Sequence, residues 1–88
     1  MFDVREPHEY VEGHVPGATL VPLGDVMERV EEFPTVDEVL IICKAGGRSR
    51  QAAQYLRGQG VDAVNIAGGT MAWIDAGHQV VTGDEPGA

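Results

Sequence analysis

The stretch Ile41-Ile42-Cys43-Lys44-Ala45-Gly46-Gly47-Arg48-Ser49-Arg50 places the chain's single cysteine where an apolar run gives way to a cationic, glycine-bearing loop. Val39 to Ile42 are apolar and mostly β-branched, which suits a short strand buried on both faces. From Ser49 the small or apolar positions fall at Ser49, Ala52, Ala53 and Leu56, the i, i+3, i+4, i+7 spacing of one helix face, and Gly58 and Gly60 supply a stop. The thiol is therefore expected between the C-terminal end of a strand and the N-terminal end of a helix.

That position has chemical consequences. The first turn of a helix leaves backbone N–H groups without intrahelical partners and carries the positive end of the macrodipole, so an anion is welcome there. Gly46 and Gly47 let the backbone curl with successive N–H groups pointing inward, and Lys44, Arg48 and Arg50 supply half of the chain's six cations. A cysteine in such surroundings ionises more easily than a free thiol, in a range of roughly 3.5 to 7.5 for activated cysteines. It is then a nucleophile at neutral pH. A lone cysteine after Ile-Ile also fits an inert core residue. That role has no need of a Gly-Gly turn or of an arginine five positions on.

The rest of the chain reads as support for this segment. Met1 to Val4 has the character of the end of a strand, with Asp3 and Arg5 at its C-terminal side, where open α/β sheets place their chemistry. Pro7 opens a short helix through Tyr10 and Val11 that Gly13 ends. A Pro16-Gly17 turn leads into a short strand at Thr19-Leu20-Val21. Leu23, Val26, Met27 and Val30 repeat the helical spacing, predicting an amphipathic helix whose solvated face carries Glu28, Arg29, Glu31 and Glu32, stopped by Pro34. Val61 to Ile66 predicts another β-branched strand, and Gly68-Gly69 opens a helix through Trp73 and Ile74 that ends at Gly77. Trp73 is read as a core anchor. This alternation predicts an α/β fold, a small, mostly parallel sheet with helices on both faces.

With 88 residues, 43% of them hydrophobic, the chain has material for one modest core, expected over residues 1–83, followed by a disordered tail over 84–88. A net charge of −8 argues against a nucleic-acid or anionic-membrane surface and makes the cationic loop a local exception. One cysteine cannot form an internal disulfide, which suits a reducing compartment, and no stretch has the length and apolarity of a membrane span or a signal segment. A cytoplasmic location is the expectation. His8, His14 and His78 with Cys43 lack the clustered spacing of a metal site, so neither a metal nor a cofactor is implied.

Cys43-Lys44-Ala45-Gly46-Gly47-Arg48-Ser49 resembles the active-site loop of rhodanese-like sulfurtransferase domains, in which a cysteine opens a short loop closed by an arginine. Asp3-Val4-Arg5-Glu6 with Glu12-Gly13-His14-Val15-Pro16-Gly17-Ala18 is similar to that family's N-terminal signature, and Ala67-Gly68-Gly69-Thr70-Met71-Ala72-Trp73 to its C-terminal one. The resemblance implies transfer of a sulfane sulfur through a persulfide on Cys43. It implies a small anionic donor such as thiosulfate and a thiol, cyanide or protein acceptor. Lys44, Ala45, Gly46, Gly47 and Arg48 would bind the donor, and Asp3, Arg5 and Ser49 would brace the loop. Family members usually carry a further strand and helix before the Asp-Val-Arg-Glu segment, which this sequence lacks. The expected consequence is an exposed edge on the Val61–Ile66 strand, covered by Val80-Val81 or paired with a second copy in a homodimer.

Two other readings share these residues. Cys-x5-Arg-Ser is the spacing of cysteine-dependent phosphatases and arsenate reductases, one residue longer than the Cys43-x4-Arg48-Ser49 of this chain. Ile42, however, stands where tyrosine phosphatases usually carry a histidine, and no general-acid loop is evident apart from Asp3. A non-catalytic module could use the loop as an anion or partner pocket, although it would have no use for the cysteine.

Overall fold

The computed structural model describes residues 1–87. Strands β1 (Phe2–Asp3), β2 (Thr19–Leu20), β3 (Val39–Ile42) and β4 (Ala63–Asn65) form one parallel sheet in the order β2-β1-β3-β4, joined with helices α1 (Pro7–Glu12), α2 (Gly47–Gly58) and α3 (Gly69–Asp75). β3 lies inside the sheet, and its alternating side chains serve two cores. Ile41 packs with Val4, Ala52, Ala53 and Leu56 on one face, while Ile42 packs with Val15, Ala18 and Trp73 on the other. Burying each such large aliphatic chain contributes about 1.5–3 kcal/mol. This double burial is why the run Val39–Ile42 is continuously apolar. On α2 the buried positions are Ser49, Ala52, Ala53 and Leu56, as the spacing predicts.

Between β2 and β3 the chain departs from the predicted amphipathic helix. Two short 3₁₀ turns, Leu23–Asp25 and Val30–Glu32, stand in its place. Leu23, Val26, Val30 and Phe33 turn toward the core, whereas Met27, counted on the apolar face, is 66% exposed. Gly24 weakens an α-helix here, and burying Phe33 just before Pro34 requires a tighter path than 3.6 residues per turn.

β4 is also shorter than the Val61–Ile66 run. The Val61 N–H donates to the Leu56 carbonyl (3.0 Å), closing α2, and the Ala63 N–H donates to the Val61 carbonyl (2.9 Å). Val61 and Asp62 thus belong to the turn. The Thr19–Val21 strand likewise stops at Leu20.

The tail does not cover β4. Val81 instead pairs antiparallel with His14, each N–H donating to the other's carbonyl at 2.9 Å. In the stretch expected to be a disordered tail, the Glu85 carbonyl lies 2.9 Å from His14 Nε2, and the Pro86 carbonyl accepts from the Gly17 N–H at 2.8 Å. Ala88 lies outside the described residues. Along the outer edge of β4, Arg57 Nη1 donates to the Ala63 carbonyl at 2.9 Å. Among the described residues no helix is long and apolar enough to cross a membrane.

Candidate active site

Cys43 follows directly on β3 and is 1% exposed. The next residues wrap around its sulfur. The Gly46 N–H donates to Sγ at 3.1 Å and the Ser49 hydroxyl at 3.2 Å. Gly46 adopts φ +113°, in the left-handed region that favours glycine, and this turn carries the chain into the first turn of α2. Burial pushes the Cys43 thiol up. The Ser49 hydroxyl and the N–H groups of Ser49, Gly46 and Ala45 outweigh it, so its pKa falls below the ordinary thiol value.

Of the two expected sources of that activation, the inward N–H groups are the larger and the cations the smaller. Uncharged donors do most of the lowering, while Arg48 acts on the thiolate through its charge but is paired with Glu9, and Lys44 and Arg50 are exposed. Arg48 donates from Nη1 and Nη2 to the two carboxylate oxygens of Glu9 at 2.7 and 2.9 Å. Arg48 therefore sits at the loop as one half of an ion pair.

The loop is shaped from outside by α3. Thr70 donates to the Cys43 carbonyl from its N–H at 2.8 Å and from its hydroxyl at 3.0 Å, and the Met71 N–H donates to the Lys44 carbonyl at 3.0 Å. Carbonyls drawn outward leave the loop's N–H groups free to turn inward. Gly69 makes the approach feasible, since a Cβ there would lie 2.5 Å from the Cys43 carbonyl oxygen and 2.6 Å from that of Lys44. The second glycine of the Gly68-Gly69 pair thus serves the loop as well as the helix start.

Asp3 and Arg5 brace the same end of the sheet. Asp3 is paired in register with Ile42, directly before the cysteine. Its carboxylate accepts from Arg5 Nε at 3.0 and 3.1 Å and from Nη2 at 2.8 Å, and Nη2 also donates to the Gly13 carbonyl at 2.9 Å. Asp3 is fully buried in this arrangement and is not placed to serve as a general acid.

Three participants were not singled out from the sequence. Asn65, on the β4 end, sets its side-chain amide within hydrogen-bond distance of the Ser49 hydroxyl, whose single proton is shared between that amide and Cys43 Sγ. Thr70 holds the Cys43 carbonyl. Glu9 holds Arg48, and its other attachment is to the Glu6 N–H, which donates to Oε1 at 3.0 Å. The Glu6-Pro7-x-Glu9 spacing carries a readable helix-start signal. Its link to a residue 39 positions away does not show in the spacing.

Beside the loop lies a cleft of about 250 Å³ lined by Glu9, Glu12, Lys44, Met71, Ile74 and Val80, among others. Met71 and Ile74 are half-exposed along it. The cleft opens between α1 and α3 next to the cysteine loop.

Comparison with known proteins agrees with this architecture. Residues 1–76 match the rhodanese-like domain. The chain is 41% identical over 73 residues to YtwF of Bacillus subtilis, covering 83% of this chain and 71% of that one. It is 38% identical over 82 residues to a protein of Allochromatium vinosum named sulfurtransferase, covering 92% and 77% of the two. Among solved structures, a rhodanese-related protein from Thermoplasma volcanium superposes with a TM-score of 0.88 at 30% identity, over 93% of this chain and 82% of its own. The chain belongs to the rhodanese-like domain family, and its single cysteine, Cys43, is buried.

Proposed function

We propose that the protein is a sulfurtransferase in which the Cys43 thiolate takes the outer sulfur of a small anionic donor and passes it to a thiol, cyanide or protein acceptor. The observation that carries this reading is the buried Sγ with Gly46 N–H and Ser49 Oγ–H directed onto it. Such a cradle stabilises a thiolate and, one sulfur further out, the persulfide that follows. The name of the Allochromatium vinosum relative supports the same class.

With thiosulfate as donor, the Cys43 thiolate attacks the sulfane sulfur and a new S–S bond forms. The bond to the sulfonate sulfur breaks, and its electron pair leaves with sulfite. An acceptor thiolate then attacks the outer sulfur of the persulfide and regenerates the Cys43 thiolate. The N–H groups from Lys44 to Arg48 line the path of the transferred sulfur, and Lys44 offers a cation to the donor's anionic end. The expected association with a second copy along the edge of β4 would have to displace Arg57 from the Ala63 carbonyl.

Intact-mass measurement tests the central step. Mixed with thiosulfate or glutathione persulfide and no acceptor, the protein is expected to gain one sulfur atom, lose it on adding cyanide, and gain none as Cys43→Ser. Absence of the added sulfur with both donors would remove the sulfurtransferase reading.

A further inference from the structure

The Arg48–Glu9 pair has an electrostatic consequence for the donor. Both ends of the pair are fixed. Arg48 lies in the first turn of α2, and one N–H of each Nη group is directed at the two Glu9 oxygens, at 2.7 and 2.9 Å. Glu9 is anchored in turn by the Glu6 N–H at 3.0 Å. The side chains are 36% and 20% exposed, so the pair sits at the surface, and Glu9 lines the cleft together with Lys44. Arg5, the other cation of the cleft, is already matched by Asp3 at 2.8 Å. Among the described residues Lys44 is the only cation lining the cleft without a carboxylate partner, in a chain of net charge −8.

We propose that Glu9 is a specificity-determining residue, which by neutralising Arg48 beside the loop turns the site toward organic persulfides and away from dianionic thiosulfate. This rests on the sulfurtransferase reading and names the donor class within it. The cysteine cradle is made of neutral donors and works equally for either donor. What differs is the field at the entrance. Thiosulfate brings two negative charges and releases sulfite with two, both next to the Glu9 carboxylate. At the reacting sulfurs a persulfide R–S–SH brings at most one, and in glutathione persulfide the two carboxylates, partly offset by the ammonium, lie at the far ends of the peptide. The Cys43 thiolate attacks its outer sulfur, the Cys43 Sγ–S bond forms as the R–S bond to that sulfur breaks, and R–S⁻ departs with the electron pair. The proton stays on the transferred sulfur. No oxidant or reductant is needed. The half-exposed Met71 and Ile74 on the facing wall give the organic part of such a donor an apolar surface that thiosulfate cannot use.

Steady-state kinetics with thiosulfate and with glutathione persulfide, on wild type, Glu9→Gln and Glu9→Asp, test this assignment. Gln keeps an oxygen for the Glu6 N–H but removes the charge, so Glu9→Gln is expected to lower the thiosulfate KM by roughly tenfold, the effect of one partly screened charge nearby. The change should fall on KM and not on kcat, move the glutathione persulfide KM less than twofold, and shrink as salt is raised. Glu9→Asp, which retains the charge, is expected to keep the wild-type ratio of the two KM values. An unchanged ratio in Glu9→Gln, or parallel losses of kcat with both donors, would overturn the assignment and leave Glu9 a purely structural residue. The intact-mass measurement separates this failure from that of the broader reading. Wild type that takes a sulfur from glutathione persulfide keeps the sulfurtransferase reading even if Glu9 proves indifferent.

Discussion

Two arginine–carboxylate pairs flank α1 at the cysteine-loop end of the sheet, and they differ in nearly everything but their chemistry. Asp3 and Arg5 are two residues apart, with side chains 0% and 7% exposed, and Arg5 spends a further donor on the Gly13 carbonyl. Glu9 and Arg48 are 39 residues apart and partly exposed, and Glu9 faces a cleft. The first pair is closed on itself and fixes where β1 ends and α1 begins. The second remains within reach of a ligand's charge. Burial decides which pair holds the fold and which one a substrate can feel.

The sharpest way to break this contrast is Asp3→Ala. Removing one partner of a buried pair leaves Arg5 uncompensated, and a loss of about 3–5 kcal/mol is expected in urea unfolding. A loss no larger than that of Glu9→Gln would make the two pairs equivalent. Next in size is Gly69→Ala. Its φ of +59° and the approach of a Cβ to the Cys43 and Lys44 carbonyls make the substitution strained, at about 1–3 kcal/mol or more. The displaced carbonyls should also turn the loop's N–H groups away from Sγ and raise the Cys43 pKa, which thiol titration would detect.

A smaller effect sharpens the second pair. Glu9 is held at a pKa of about 2, against an ordinary 4.5, chiefly by the hydrogen bonds from Arg48, with burial opposing and the Glu6 N–H assisting. A carboxylate whose folded pKa is depressed stabilises the fold above the unfolded value and loses that contribution as pH falls toward the folded one. Stability is therefore expected to drop between pH 4.5 and 2, by on the order of 1 kcal/mol once surface screening is allowed for. Urea midpoints measured across this window should show the limb in wild type and a reduced one in Glu9→Gln.

Local pattern carried much of the fold. β3 and the buried face of α2 follow directly from β-branched continuity and helical spacing, and α1 from Pro7 and Gly13. The segment after β2 failed where spacing alone was used, because Leu23, Val26 and Val30 fit a 3₁₀ path as well as an α-helical one. Phe33, outside the counted set, decides between them. In the site, Cys43 and Ser49 were legible because they share one short stretch. Glu9, Asn65 and Thr70 reach the loop only through the tertiary fold, and the ion pair that occupies Arg48 is set by a residue from a different helix. Charge counted along the sequence therefore overstated what the cations do for the thiol.

That last point has a direct measurement, the rate of Cys43 alkylation by iodoacetamide as a function of pH. With neutral donors holding the thiolate, wild type should show an inflection below the free-thiol value of about 8.5. Ser49→Ala should move it upward, and Arg50→Ala should leave it in place. An inflection at or above about 8.5 in wild type, or one shifted by Arg50→Ala and not by Ser49→Ala, would contradict the account.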